Sequence, residues 1–283
     1  MTQTIWLYWE DQSWAKRRPP YLDLCLETIR KHSCSLKLEI VNRESALELL
    51  PDLDESVWNA LPSVVFRADY VRTRLLRTYG GMWIDIDSIV MAPLTRMLDM
   101  LGEHEFVGWG EEQAKFTNGM FVSRPGSEFV CRWIENQDKA VAEADDLSKL
   151  PYHAFGRMAT EPVAEVVPYH RLPKSMFAPV SWYEWRRFIS KVDSPADVLS
   201  AETVAIMLWN GRMNQYLWRL EADQVLSSDM LVSRLLRIAL GKSEMNQECR
   251  GLARLHFLSN VRFSPMMRLG ESALRNTFNL VPY

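Results

Sequence analysis

The stretch FRADYVRTRLLRTYGGMWIDID, from Phe66 to Asp87, decides the fold. Before its glycines, apolar and aromatic side chains recur every three or four residues, which predicts a helix. These side chains are Val64, Ala68, Val71, Leu75 and Tyr79. Gly80-Gly81 ends the helix, as glycine does just past a helix C-terminus. The apolar run from Met82 to Val90 then predicts a buried strand.

Two carboxylates, Asp85 and Asp87, interrupt that apolar strand. Alternate strand residues point to the same face, so we expect their Cβ atoms about 6–7 Å apart. Carboxylates buried without partners are unfavourable, and a divalent cation bridged to a diphosphate would satisfy them. Their hard oxygens suit Mg²⁺ or Mn²⁺. The alternative is an ordinary strand end with two solvated acids.

A second charged pair precedes the glycines. Asp69 and Arg72 are three residues apart, hence on one face of the predicted helix. That helix leads the chain through Gly80-Gly81 directly to the two acids. The alternative for Asp69 and Arg72 is a surface ion pair within the helix.

The rest of the chain alternates between strand and helix patterns. Thr4 to Trp9 predicts a strand, Tyr21 to His32 a helix and Leu36 to Val41 a second strand. This order favours an α/β sandwich with a parallel sheet. Further strands are predicted at 106–109, 119–123 and 203–209, and a helix at 128–143. Residues 42–62 are polar and interrupted by Pro51 and Pro62, and residues 145–200 are expected to be irregular.

The composition is that of a globular protein, with 47% hydrophobic and 24% charged residues. A net charge of -3 argues against a nucleic-acid binder. Residues 228–283 differ, because they carry eight Lys and Arg against four Asp and Glu. With no signal-peptide pattern and no apolar window of about 18 residues, we expect a cytoplasmic protein.

An amphipathic pattern near the C-terminus leaves two options open. Leu231, Leu235 and Ile238 alternate with Arg234 and Arg237 at helical spacing. Such a helix, within 228–283, could contact anionic lipid at the inner face of the membrane or a lipid-linked phosphate. The alternative is a helix packed on the catalytic core.

Taken together, the residues from 69 to 87 resemble the motif of capsular-polysaccharide-synthesis-type glycosyltransferases. This DXD-containing group is related to the toxin glucosyltransferases and the yeast-type initiating mannosyltransferases. The motif is Asp-x-x-Arg, a leucine-rich turn, Gly-Gly, an aromatic residue and Asp-x-Asp. The matching residues are Asp69, Arg72, Leu75-Leu76, Gly80-Gly81, Trp83 and Asp85-x-Asp87.

Weaker similarity to this family extends over about residues 4–212. The opening IWLYWEDQ is similar to the family's first strand. Asn118-Gly119 followed by Pro125-Gly126 is similar to its central segment. Met207-Leu208-Trp209-Asn210 stands where the family commonly has His-Leu-Trp-Asn.

The resemblance implies an α/β fold of the GT-A type. This is a Rossmann-like sandwich with a mixed, mainly parallel central sheet and a helical C-terminal segment. We expect a single domain over 1–283, with a catalytic core at 1–212 and a helical, basic extension at 213–283. The implied enzyme is a metal-dependent, hexosyltransferase-type glycosyltransferase. It would move a sugar, with retention, from a nucleotide-sugar donor (UDP-sugar favoured) to a saccharide or lipid-linked acceptor in surface polysaccharide synthesis.

The resemblance also implies metal and catalytic roles. Asp87 would ligate Mn²⁺ or Mg²⁺ directly, and Asp85 would meet the metal's water shell or the donor's ribose. Arg72 would help to neutralise the charge that develops on the leaving diphosphate. Met207 replaces the family's usual histidine ligand, and a thioether is a poor ligand for hard cations. Asn210 or water is therefore the expected third ligand.

Donor and acceptor contacts follow from the same resemblance. The predicted donor-binding residues are Tyr8, Trp9, Asp69, Arg72 and Asp85. The predicted acceptor-side residues are Asn118, Gly119 and Trp182. Trp182, Tyr183 and Trp185 could form a platform for sugar rings, with core packing as the alternative for these aromatic residues and for Tyr8 and Trp9.

Two other functions are alternatives to sugar transfer. A degenerate transferase would bind nucleotide-sugar without turnover, and Met207 supports this alternative. A phosphatase of the haloacid-dehalogenase type would use Asp85 as nucleophile in its Asp-x-Asp loop. That loop normally follows the first strand of its domain, whereas here it follows a helix with Asp69 and Arg72.

Overall fold

A six-stranded mixed sheet forms the centre of the protein in the computed structural model, which describes residues 3–11, 18–110 and 116–242. The strands are β1 (Thr4–Tyr8), β2 (Lys37–Val41), β3 (Gly81–Ile84), β4 (Ser88–Val90), β5 (Phe106–Trp109), β6 (Thr117–Ser123), β7 (His170–Leu172) and β8 (Ala205–Met207). The central sheet has the order β2-β1-β3-β6-β5-β7. Its β1–β2, β1–β3 and β5–β7 pairs are parallel, whereas β6 runs antiparallel to β3 and β5.

Helices cover both faces of this sheet. They are α1 (Pro20–His32), α2 (Arg43–Leu49), α3 (Glu55–Ala60), α4 (Val64–Tyr79), α5 (Thr95–Asp99), α6 (Glu128–Ala142), α7 (Arg157–Val166), α8 (Asn210–Leu217), α9 (Ala222–Ser227) and α10 (Leu231–Leu240). Strand alternation separates two cores: Ile5 and Leu7 pack with α1 and α10, while Trp6 packs with α4 and α6. The predicted α/β sandwich with a mixed, mainly parallel sheet is confirmed.

The glycine pair makes the sharp turn between α4 and β3. Gly80 has φ +64 and donates its N–H to the Leu76 carbonyl at 2.9 Å, which closes the helix. Gly81 has φ +99, and a Cβ atom there would lie 2.3 Å from the Thr4 carbonyl oxygen. Only glycine tolerates both the backbone angle and this close approach. The turn therefore places β3 directly beside β1.

The prediction of one strand from Met82 to Val90 is wrong. Strand β3 ends at Ile84, the chain turns at residues 85–87, and β4 pairs with β8 outside the central sheet. Asp85 and Asp87 thus lie in a turn between two sheets, not on one face of a strand. Apolar residues on both sides of the acids hid this break, because buried strands of different sheets give one continuous apolar run.

Regular structure also occurs in two segments for which the sequence pattern indicates no helix or strand. Residues 42–62 form α2 and α3, whose first turns are capped by the Asn42 and Asp54 side chains. Residues 145–200 include α7 and β7, and Pro162 inside α7 obscured the helical pattern. The late strand predicted at 203–209 is shortened to β8, because Trp209 turns into the left-handed region with φ +58.

Helix α10 packs on the core. Leu231 and Leu235 are fully buried against the cluster that contains α1. Arg234 donates to the carbonyls of Lys191 and Asp193, and Arg237 to those of Leu226 and Ser228. The apolar side of α10 is therefore not available to lipid, so the core-packing alternative is confirmed for this helix.

The remainder of the basic segment, residues 243–283, lies outside the described residues. Among the residues that are described, none of the helices is long and apolar enough to cross a membrane. The division into a core at 1–212 and an extension at 213–283 stays a prediction.

Substitution of Gly81 tests the turn. Gly81→Ala should lower the free energy of unfolding by at least about 2 kcal/mol, because it adds both backbone strain and a clash with Thr4. Gly126→Ala is the matched control: Gly126 has φ +68 but open space around its Cβ position. The Gly126→Ala variant should lose only about 1 kcal/mol of unfolding free energy. The free energy of unfolding of both variants would be measured by urea denaturation. Equal losses would contradict the close approach of Gly81 to the Thr4 carbonyl.

Candidate active site

The guanidinium of Arg72 is the centre of a buried charge cluster at the end of β3. It lies 2.8 Å from Asp69 Oδ1 and 3.3 Å from Asp85 Oδ1. It also donates to the Asn118 carbonyl and stacks 4.7 Å from the centre of the Trp83 ring. Only 4% of its side chain is exposed. Arg72 therefore holds two acids from different elements in one place.

Asp85 keeps one oxygen open. Its Oδ1 accepts the indole N–H of Trp83 at 2.8 Å and faces Arg72. Its Oδ2 lies beside Gly119 and Met207, since a Cβ atom on Gly119 would be 3.0 Å from both Asp85 Oδ2 and Met207 Sδ. The Asp85 side chain is 27% exposed. Asp85 is thus fixed on one side and accessible on the other.

Asp87 is tied to the first residue of α8. Its Oδ2 accepts the backbone N–H of Asn210 at 2.7 Å, and the helix N-terminus favours a negative charge there. The Asn210 side-chain oxygen accepts a hydrogen bond from the buried hydroxyl of Tyr21. Asn210 therefore supports Asp87 through its backbone. Metal ligation by its side-chain oxygen stays a prediction. It requires that this oxygen give up the hydrogen bond from the Tyr21 hydroxyl, or bind the metal while it still accepts that hydrogen bond.

Asn118 and Gly119, predicted on the acceptor side, belong to the same cluster. The Asn118 amide donates to Asp69 Oδ1 at 3.0 Å. The Gly119 carbonyl accepts the backbone N–H of Asp85 at 2.8 Å. Gly156 also lies against Asn118, since a Cβ atom added to Gly156 would be 2.9 Å from the Asn118 amide nitrogen. Contacts of these residues with an acceptor stay a prediction.

The aromatic residues predicted to contact donor or acceptor differ in their exposure. Tyr8 is buried and packs edge-on against Trp58, so its ring is not open to a nucleotide base. Trp9 is half-buried, with its indole N–H on Asp11. Trp182 is largely exposed on a 3-10 helix, Trp182–Ile189. The geometry favours the core-packing alternative for Tyr8 and leaves Trp9 and Trp182 accessible.

The cluster carries more negative than positive charge. Burial raises the pKa of Asp69 to about 6; the Asp85 charge adds to this, while Arg72 and Asn118 oppose it. Burial and then the charge of Asp85 raise the pKa of Asp87 to about 6. Burial also raises the pKa of Asp85, against the effect of Arg72 and Trp83. Three carboxylates share one guanidinium, so further positive charge would be bound favourably.

The donor atoms fit a cation that is shared with a substrate. In the described part of the chain, no group of three or more His, Cys, Asp or Glu is placed to hold an ion. Asp85 and Asp87 supply hard oxygens, and Mg²⁺ is commonly held by one or two carboxylates together with substrate phosphate. Met207 packs next to Asp85 and offers only a soft sulfur.

Sequence reasoning missed Tyr21 and Gly156. Tyr21 follows Pro19-Pro20 in α1, and nothing in its apolar surroundings indicates a link to Asn210. Gly156 precedes α7, a helix that the sequence did not predict. No local signal could have placed either residue, because each meets the site through the tertiary fold.

The comparisons with known proteins agree with the motif. A family model described as capsular polysaccharide synthesis protein matches residues 1–121. The resemblance inferred from Asp69, Arg72, the glycine pair and the two later acids is therefore confirmed over that part of the chain. The search among curated proteins found no match.

Several solved structures are similar to this chain at low identity. The PaToxG glycosyltransferase is 13% identical with a TM-score of 0.41, over 85% of this chain and 86% of that one. Apo GlyE, a glycosyltransferase of Streptococcus pneumoniae TIGR4, is 14% identical with a TM-score of 0.46, over 90% and 63%. The galactosyltransferase LgtC with donor and acceptor sugar analogues is 12% identical with a TM-score of 0.45, over 88% and 100%.

Removal of Arg72 should destabilise the protein in a pH-dependent way. At pH 8, Arg72→Met should lower the free energy of unfolding by about 3–5 kcal/mol, because it leaves the buried Asp69 and the partly buried Asp85 without their cation. At pH 5 the loss should shrink, because the carboxyl groups take up protons. Arg132→Met, in an exposed ion pair with Glu128, should change stability by less than about 1 kcal/mol. A loss that is independent of pH would contradict this account.

The raised pKa values of Asp69 and Asp87 also predict how the free energy of unfolding of the unmodified protein depends on pH. The folded-state pKa values of Asp69 and Asp87, about 6 each, lie above the ordinary value of 3.8, so the folded state binds more protons than the unfolded state between these values. In EDTA, stability should therefore fall as pH rises from about 4 to about 6, by about 2–3 kcal/mol for each group. Asp87→Asn should flatten this slope in denaturant titrations. An unchanged slope would be inconsistent with a raised pKa at Asp87.

Proposed function

We propose that this chain is a retaining, metal-dependent glycosyltransferase of the hexosyltransferase type. It transfers a sugar from a nucleotide-sugar donor, with UDP-sugars favoured, to a saccharide or lipid-linked acceptor in surface polysaccharide synthesis. The match of residues 1–121 to the capsular polysaccharide synthesis family supports the polysaccharide context. The choice of UDP and the retention of configuration rest on the sequence resemblance, and a cytoplasmic site of action rests on the expectation drawn from the signal-peptide and hydropathy patterns.

One observation carries the proposal: two buried carboxylates, Asp69 and Asp87, and the partly exposed Asp85 lie around a single guanidinium beside a turn between two sheets. Such an excess of buried negative charge lowers stability, and perturbed carboxyl groups concentrate at functional sites. A structural ion-pair network would balance its charges. A divalent cation held by Asp85 and Asp87 would relieve this imbalance, and it could also bind the negatively charged diphosphate of a donor.

Each residue has a distinct task in this proposal. Arg72 holds Asp69 and Asp85 and screens their charges, with its donors directed at the protein. Asp85 presents Oδ2, and Asp87 is oriented by the N–H of Asn210. A divalent cation, held by Asp85 and Asp87, would supply positive charge to the leaving diphosphate. A direct contact between Arg72 and the diphosphate stays a prediction.

Transfer with retention needs no nucleophilic side chain here. The bond between the anomeric carbon and the phosphate oxygen breaks, and the acceptor hydroxyl oxygen bonds to the anomeric carbon on the same face. The proton of that hydroxyl passes to the leaving phosphate oxygen. Asp69 and Asn118, hydrogen-bonded to each other, would position the donor's sugar.

Substitution of Asp87 tests the activity. Asp87→Asn should reduce both hydrolysis of UDP-sugars and sugar transfer at least about 100-fold with Mn²⁺, because the site loses a cation ligand and its charge. Asp99→Asn, an exposed carboxylate on α5, is the control and should retain activity. Product release would be followed as UDP over a panel of sugar donors. Full activity of the Asp87→Asn variant would remove the central claim.

A nucleotide-sugar-binding protein without turnover is the second candidate, and Met207 favours it. The thioether occupies a position next to Asp85 and Gly119, where a nitrogen ligand would strengthen cation binding. Calorimetric titration with UDP- and GDP-sugars and Mn²⁺ separates the two cases: binding without hydrolysis by the native chain supports this candidate. Phosphate release from a simple phosphomonoester, without turnover of sugar nucleotides, would instead support the phosphatase alternative.

A histidine at position 207 should strengthen the metal site. Met207→His replaces a soft sulfur with an imidazole nitrogen, which suits Mn²⁺ better, so Mn²⁺ affinity should rise at least about tenfold. Met207→Leu, which removes the sulfur without adding a ligand, should leave the affinity unchanged. Mn²⁺ binding would be measured by electron paramagnetic resonance with and without UDP. If the histidine variant binds Mn²⁺ no better than the leucine variant, position 207 does not adjoin the cation.

A further inference from the structure

A surface of aromatic and arginine side chains lies between the 3-10 helix Trp182–Ile189 and α8. We call it the aromatic–arginine surface; it consists of Trp182, Tyr183, Arg186, Arg212 and Tyr216. The three aromatic side chains are 49%, 54% and 45% exposed, respectively. Both arginines are also exposed. Large aromatic rings so open to solvent, close together and next to cations, are typical of a binding surface.

The side chains of this surface are packed against one another. The Arg212 Cζ atom lies 5.8 Å from the centre of the Trp182 ring, which meets Tyr183 edge-on. Beneath them, buried Trp185 contacts Tyr216 with ring centres 5.2 Å apart, and Arg186 Cζ lies 4.7 Å from Trp185. Arginines stacked on rings keep their N–H edges free for bidentate contacts.

This surface is anchored to the carboxylate cluster through Trp209. The Trp209 indole donates to the Val180 carbonyl at 2.9 Å, just before Trp182. The next residue, Asn210, donates its backbone N–H to Asp87, and the Arg212 N–H closes the first turn on the Trp209 carbonyl at 2.7 Å. Arg212 thus lies within one helical turn of the residue that holds Asp87.

Arg186 and Arg212 differ from their neighbour Arg187 in their charge environment. Throughout the described residues, neither Arg186 nor Arg212 forms an ion pair with a carboxylate. Neighbouring Arg187, by contrast, lies 3.0 Å from Asp193. Glu184, the acid inside this 3-10 helix, accepts the Ser181 backbone N–H and completes a capping box. The aromatic–arginine surface therefore offers two positive charges to a ligand.

We propose that the aromatic–arginine surface is an acceptor subsite for an anionic saccharide, one that carries a carboxylate or a phosphate group. The apolar C–H faces of sugar rings pack on Trp182, Tyr183 and Tyr216, while the guanidinium groups of Arg186 and Arg212 bind the anion. The inference rests on the proposed transferase function and specifies its acceptor. A neutral acceptor would leave both cations without a partner, so the surface discriminates by charge.

Direct binding measurements test this subsite without any donor. The probes are a glucuronic-acid-containing tetrasaccharide, a neutral glucose tetrasaccharide of equal length and a sugar 1-phosphate, titrated at 150 mM salt. At least one anionic probe should bind about tenfold or more tightly than the neutral one. Arg212→Gln and Arg186→Gln should each abolish that preference, and Trp182→Ala should weaken all sugar binding. The two anionic probes show which group is recognised.

Controls separate this proposal from general charge effects and from the proposed function. Arg132→Gln removes an exposed arginine from α6 and should preserve the preference. Because no sugar nucleotide is present, the readout does not depend on turnover. Equal affinity for neutral and anionic probes, loss of the preference with Arg132→Gln, or no binding of any probe would overturn the proposal. Vesicles of anionic lipid serve as a further probe. Binding to these vesicles and to none of the saccharide probes would also overturn the proposal.

Discussion

The contact of Arg72 with Asp69 and Asp85 is the interaction on which the rest of the site depends. It joins a helix to the end of a central strand, and Nη1 of the same guanidinium donates to the Asn118 carbonyl on the neighbouring strand. One buried guanidinium thereby fixes three segments at once. Arg72 therefore holds the cluster together. Because Asp87 adds a further negative charge, the cluster still carries more negative than positive charge.

The geometry of the chain around this contact follows from two glycines. Gly80 and Gly81 adopt positive φ angles and bring α4 to the edge of β3 without a loop. The break at residues 85–87 then moves the chain from the central sheet to the pair β4–β8. Both acids lie in that passage, and the turn places Asp87 at the N-terminus of α8.

Local sequence signals predicted α4, its end at the glycines, the first strands and the association of Asp69 with Arg72. They could not predict the break after Ile84, because apolar residues continue on both sides of it. The links from Tyr21 to Asn210 and from Gly156 to Asn118 join residues far apart in the chain, and no periodicity encodes them. The resemblance named the acids; only the fold revealed that Arg72 is buried and that Asn210 supports Asp87 through its backbone.

The central claim is that Asp85 and Asp87 bind a divalent cation together with the diphosphate of a nucleotide-sugar. Anomalous diffraction from crystals grown with Mn²⁺ and UDP tests it most directly. The account predicts one Mn²⁺ peak about 2.1 Å from a carboxylate oxygen of Asp87, bridged to the UDP diphosphate and adjoining Asp85. Mn²⁺ absent from this turn while UDP is bound, or UDP bound elsewhere on the protein, would contradict it.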